Sequence, residues 1–108
     1  MRFETTQSFQ TDYKKLSDDE KRSFRVAVRK FNKACDAAQA RRAGKPTWPK
    51  SLRVKDVEGA PGIWEMTWSF SGPDGRATWE WTEIHVGGER VPAVRWRRIG
   101  GHSIFREP

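Results

Sequence analysis

The stretch from Gly62 to Phe105 limits what this chain can fold into more than any other. In GIWEMTWSF the residues Trp64, Met66, Trp68 and Phe70 alternate with Ile63, Glu65, Thr67 and Ser69. A period of two places successive side chains on opposite faces of a strand. After the turn SGPDG, the run RATWEW repeats the pattern, with Ala77, Trp79 and Trp81 on one side and Arg76, Thr78 and Glu80 on the other. A second turn within HVGGER leads into VPAVRWRRIGGH, where Val94 and Trp96 share one parity and Ala93, Arg95 and Arg97 share the other. Together these runs predict an antiparallel meander with rings on one face and charges on the opposite one. The apolar face then needs a second layer to cover it.

Two helices are predicted to supply that layer. From Ser8 to Leu16, the residues Phe9, Tyr13 and Leu16 recur at i, i+4 and i+7, one stripe of a short amphipathic helix. The next four residues, SDDE, read as a capping box with Ser17 as N-cap and Glu20 as its partner, while Asp18 and Asp19 complement the positive helix end. The second helix is predicted to reach about Arg42, with Phe24, Val28, Phe31, Cys35 and Ala38 as its buried stripe, before Gly44 and Pro46 stop it. Trp64, Trp68, Trp79, Trp81 and Trp96 are expected to bury against Phe24, Val28 and Phe31. Ahead of the helical hairpin, RFETTQ alternates like an edge strand. Behind it, GKPTWPKSLRVK reads as a loop entering a short strand from Leu52 to Val54.

At 108 residues, one domain spanning positions 1–108 is expected. Only 35% of the chain is hydrophobic, but six Trp and six Phe bring enough ring area for one core. The formal charge of +7 and a pI near 10.1 suit an anionic partner, with nucleic acid first and an anionic membrane surface second. A basic surface that merely keeps the chain in solution is the third reading. The one cysteine, Cys35, rules out an internal disulfide and any multi-cysteine zinc site, and its place on a helix stripe marks it as a small buried apolar group. With no long apolar run or signal-like segment, the expected location is the cytoplasm, away from membranes. Internal repeats and low-complexity segments are lacking as well.

The chemistry must come from polar residues of the meander. His85 and His102 fit no ligand motif, and the glycine pairs at Gly87 and Gly100 lack a phosphate-loop setting, so neither a metal nor a small-molecule cofactor is expected. Glu65, Arg76, Glu80, Arg95 and Arg97 are predicted to lie on neighbouring strands, with His102 after the last. An arginine can stabilise extra negative charge on a phosphate while a carboxylate or histidine moves protons. The competing reading is a lattice of cross-strand ion pairs. On the second helix, Lys21, Arg22, Arg25, Arg29, Lys30 and Lys33 either follow a phosphate backbone or form a solvated face.

The order of helix, helix and meander resembles the RelE/ParE superfamily of bacterial toxins. It does so together with SLRVK at Ser51 to Lys55, GIWEMTW at Gly62 to Trp68, GRATWEW at Gly75 to Trp81 and RRIGGHSIF at Arg97 to Phe105. That resemblance implies an α+β fold in which an N-terminal helical hairpin packs on a curved antiparallel sheet. It also implies a toxin that is held in check by a cognate antitoxin protein and cuts mRNA on the ribosome, using the RNA 2′-hydroxyl as nucleophile. Under it, Arg76 resembles the arginine that stabilises the phosphate and His102 resembles the C-terminal histidine or the neighbouring acid and base position. Arg97, Glu65 and Glu80 complete the candidate catalytic set. Lys50, Arg53 and Lys55 resemble the basic strand leading into the sheet. Arg95, Arg98 and Phe105 are the further RNA-contacting candidates, Phe105 standing where some members carry a proton-transferring tyrosine. The alternatives are a ParE-like inhibitor of DNA gyrase and a non-catalytic basic module for nucleic acid.

Overall fold

The computed structural model describes residues 1–69 and 74–108. Phe70 and most of the SGPDG turn, both assigned from the alternation, lie outside these residues. The chain runs β1 (Arg2–Thr5), α1 (Gln7–Lys14), α2 (Asp18–Ala40), a 3-10 turn (Lys50–Leu52), β2 (Lys55–Asp56), β3 (Trp64–Ser69), β4 (Gly75–Val86), β5 (Glu89–Gly100) and a final 3-10 turn (His102–Arg106). The strands form one sheet in the order β1-β5-β4-β3-β2. The fold is therefore α+β, with two helices and a five-stranded mixed sheet.

The sheet is not wholly antiparallel as the sequence suggested. β2 to β5 alternate, but β1 pairs parallel to β5, with Arg2 opposite Ala93 and Thr5 opposite Trp96. The β4–β5 hairpin fixes the direction of β5, and β1 joins its open edge in the same sense. A parallel neighbour needs a long connection, and here nearly the whole chain lies between the two strands. The edge strand itself sits where RFETTQ placed it.

The helix boundaries have local causes. Thr6 caps α1, its Oγ1 accepting from the Phe9 N–H at 3.1 Å. α1 closes two residues before the predicted Leu16, because the Lys15 and Leu16 N–H groups turn back to the carbonyls of Asp12 and Tyr13. The capping box forms reciprocally: Ser17 N–H donates to Glu20 Oε1 at 2.8 Å, and Glu20 N–H donates to Ser17 Oγ at 3.1 Å. Such a cap contributes about 1 kcal/mol. α2 buries Phe24, Ala27, Phe31, Cys35 and Ala38, while Val28 stays half-buried.

Rings fill the space between α2 and the sheet. Phe31 meets Trp79 edge-on at 5.0 Å and Trp96 at 5.2 Å, and Phe24 stands edge-on to Trp68 and Trp96. Each buried ring contributes roughly 4–6 kcal/mol by area. Against this, the indole N–H groups of Trp68 and Trp79 are buried without an acceptor among the described residues, at about 1–3 kcal/mol each. Trp48, which the sequence left in a loop, is a half-buried ring packed against the core and stacked on Phe31 at 5.6 Å. Two expectations need correction. Trp81 keeps the predicted parity but is 40% exposed, flanked by the Trp48 and Trp79 rings, and Trp64 is only half-buried.

The predicted strand at Leu52–Val54 is likewise absent. Pro49 leads into a 3-10 turn that sends Leu52 into the core, and Arg53 adopts a left-handed conformation (φ 45°) that ends it, so β2 begins only at Lys55. The β4–β5 hairpin does follow the sequence, with Gly87 and Gly88 forming a two-residue turn at φ 58° and 83°, where glycine is favoured. Trp68 and Arg97 each form a bulge, an extra residue facing one step of the partner strand. Gly75 lies so close beneath Trp68 that a Cβ there would stand 2.5 Å from the indole ring. No helix among the described residues is long and apolar enough to cross a membrane.

Candidate site on the polar face of the sheet

The side of the sheet away from the helices carries two charged clusters with different internal balance. In the first, Thr67 on β3 lies directly opposite Arg76 on β4, and Glu65 stands two residues before Thr67 on the same face. Glu65 Oε1 is 3.7 Å from Arg76 Nε and 3.8 Å from Lys55 Nζ on β2. Arg76 Nη2 bonds Asp74 at 3.3 Å. Glu65 and Thr67 are buried, and only 14% of the Arg76 side chain is exposed. Even so, Arg76 Nε and Nη1 and Thr67 Oγ1 have no hydrogen-bond partner among the described residues.

The second cluster is saturated. Arg95 Nε donates to Glu4 at 2.7 Å and its Nη2 to Thr82 at 3.2 Å. Glu80 accepts from Arg97 and lies 3.5 Å from Arg95 Nη1. Arg98 forks onto Asp12 of α1 at 2.6 and 3.1 Å, and Asp12 also accepts the Ile99 N–H at 3.2 Å. The hydrogen bond to Asp12 raises the Arg98 pKa further above its already high ordinary value, against the opposing effect of burial. Simple alternation would send Arg98 to the ring side with Trp96. The extra residue at Arg97 resets the phase, so that Ile99 enters the core opposite Ala77 while Arg95, Arg97 and Arg98 all serve the polar side.

The chain's own last residues lie over this face. Pro108 O accepts from Thr78 Oγ1 at 2.9 Å and from Arg97 Nε at 3.2 Å, and Glu107 O accepts from Arg98 Nη1 at 3.2 Å. Thr78 is fully buried as a result. Beside this segment, Thr6, Ala60, Ile63, Arg97 and Arg98 line a groove of about 450 Å³.

The predicted residues thus separate. Arg76, Glu65 and Lys55 come together, as do Arg95, Arg97 and Glu80, while Arg98 turns aside to α1. His102 is exposed, and its contact is with Phe105, their rings edge-on at 5.3 Å, so this pair forms a third group. Lys50 lies on the helix side, lining a groove with Lys30 and Lys33 of α2, away from the cluster it was expected to join. Arg53 is exposed on its left-handed turn. Asp12, Asp74, Thr67 and Thr78 were not singled out from the sequence. Only the parity of Thr67 and Thr78 pointed to this face.

In chemical terms, Arg76 offers two unspent charged donors beside a buried carboxylate, which suits an anion whose negative charge grows. Cys35 offers no comparable reactivity: it is fully buried, and burial pushes its thiol up to about 11, against smaller downward pulls from Trp48 and the Met1 amino group. No family model, curated protein or solved structure matches this chain.

Proposed function

We propose that the chain is a RelE-like toxin of a toxin–antitoxin pair, a ribosome-dependent endoribonuclease in which the RNA 2′-hydroxyl attacks the adjacent phosphodiester. The observation that carries this reading is Arg76, a largely buried guanidinium with two donors unmet, facing Thr67 and 3.7 Å from the Glu65 carboxylate. Arg76 stabilises the charge that accumulates on the phosphate, Glu65 takes the proton of the 2′-hydroxyl as its oxygen bonds to phosphorus, the bond to the 5′-oxygen breaks and that oxygen takes a proton from water, and Lys55 adds positive charge beside the carboxylate. The ribosome supplies the alignment of RNA that so small a set of groups cannot impose alone. The order of helix, helix and sheet, and the charge of +7, support the same reading. A ParE-like binding inhibitor without chemistry is the second reading, favoured by the saturation of Arg95, Arg97 and Arg98.

Single-turnover cleavage on programmed ribosomes separates the two. Arg76→Ala is expected to lower the rate by a factor of about 100 or more with ribosome binding little changed. Arg76→Lys should recover only part of it, since an ammonium lacks the planar fork. Full activity in Arg76→Ala removes Arg76 from the site, and no cleavage by the wild-type chain favours the binding inhibitor.

A further inference from the structure

Thr67 has no role in the reading above, yet its hydroxyl is the most deeply buried unmet polar group on this face. The residue is 1% exposed, its Oγ1 has no partner among the described residues, and it lies directly across from Arg76, whose Nε and Nη1 lack a hydrogen-bond partner there as well. Buried polar groups are nearly always paired, so three unpaired donor atoms on neighbouring strands are unusual. A hydroxyl kept only for packing would be replaced by a methyl at no loss, because an unsatisfied buried donor destabilises the fold. We propose that Thr67 Oγ1 and the Nε and Nη1 groups of Arg76 form one oxyanion site for the phosphodiester of RNA, in which the threonine hydroxyl donates the third hydrogen bond. This rests on the ribonuclease reading for its substrate but not for its geometry.

The surroundings set the charge of the ligand. Glu65 and Asp74 flank Arg76, at 3.7 Å from Nε and 3.3 Å from Nη2. Two carboxylates so close repel a doubly charged phosphate more than a singly charged diester. Only 14% of the Arg76 side chain is at the surface and Nε and Nη1 are themselves covered, so an anion reaches them as the Glu65 carboxylate moves aside. Thr67 lies behind it on the neighbouring strand.

The test uses the full chain and two probes: inorganic phosphate, and a deoxyribose dinucleotide monophosphate, which carries a diester but no 2′-hydroxyl. Binding is followed by calorimetry at about pH 8, where phosphate is mainly a dianion, with chloride matching the ionic strength. The dinucleotide is expected to bind the more tightly. Thr67→Val should weaken it by roughly tenfold or more, the scale of one hydrogen bond to a charged group, and Thr67→Ser should restore it. The valine variant should melt no lower than wild type, which separates a lost ligand contact from a damaged fold. Equal affinity in wild type and Thr67→Val overturns the proposal, as does tighter binding of inorganic phosphate than of the dinucleotide. If Thr67→Val loses the dinucleotide while wild type cuts no RNA on ribosomes, the oxyanion site stands and the ribonuclease reading falls. If wild type cuts and Thr67→Val cuts and binds equally well, the reverse holds.

Discussion

The two faces of the sheet are built from the same strands yet resolve their conflicts differently. On the helix face, Trp68 and Trp79 leave indole N–H groups unmet, and the area buried by the rings outweighs that cost. On the polar face no such area is available. Arg95, Arg97, Arg98 and Arg76 each have a carboxylate close by, but among the described residues Arg76 Nε and Nη1 and Thr67 Oγ1 still lack a hydrogen-bond partner. An unmet donor among rings is tolerated because removing it would cost a large apolar group. The two unmet nitrogens of Arg76, beside the unmet Thr67 hydroxyl, are offset only by the nearby carboxylates of Glu65 and Asp74. The proposed phosphate site rests on this difference between the Arg76 cluster and the richer arginine strand.

Substitutions on the helix face should read out in stability, and those around Arg76 in chemistry. The largest expected effect is that of Trp79→Ala, about 3–5 kcal/mol lost in urea unfolding, since the ring is fully buried against Phe31 and Trp48. An unchanged midpoint would break the contrast at once. Next comes Gly75→Ala, expected to cost about 1–3 kcal/mol, because the new methyl meets the Trp68 indole at 2.5 Å. A neutral result would mean that Trp68 has room to shift, and that its bulge is looser than the packing implies.

The smallest effect concerns pH. The Cys35 pKa is raised in the folded chain, from 9.0 to about 11. Above about pH 9 the unfolded chain gives up a proton that the folded chain retains, so the stability linked to this thiol is complete below about pH 9 and lost as pH climbs towards about 11. Urea midpoints at about pH 8 and about pH 10.5 should fall further apart in wild type than in Cys35→Ala. An identical fall in both would show that Cys35 does not contribute.

What the sequence disclosed was whatever depended on neighbours along the chain. The capping box at Ser17 and Glu20 and the turn at Gly87 and Gly88 formed as read, because a few consecutive residues determine each. The parity of Trp79 and Trp96 was legible for the same reason. What escaped depended on residues far apart. Trp48 joins the core because its loop folds back onto Phe31, and no periodicity marks a ring between two prolines. Asp12 becomes the anchor of Arg98 only once α1 lies beside β5, and the parallel pairing of β1 exists only after the whole sheet has closed. Of the candidate site, the shared polar face of Arg76 and Glu65 was legible from alternation. That Lys50 turns away and that Arg97 adds a step to its strand were not.

That added step separates the length of β5 from its inward and outward frame. Because Trp79 faces Trp96 and Thr78 faces Arg98, the residue between contributes to neither side of the core. A chain lacking Arg97 would keep the same strand partners on both flanks and lose one positive charge, its links to Glu80 and Pro108 O, and the carbonyl that accepts from Thr6 Oγ1. A one-residue deletion at position 97 or 98 thus keeps Trp96 opposite Trp79 and Ile99 opposite Ala77, both still facing inward. Distant relatives aligned without allowance for such a gap would show Ile99 and Gly100 out of phase with their true counterparts.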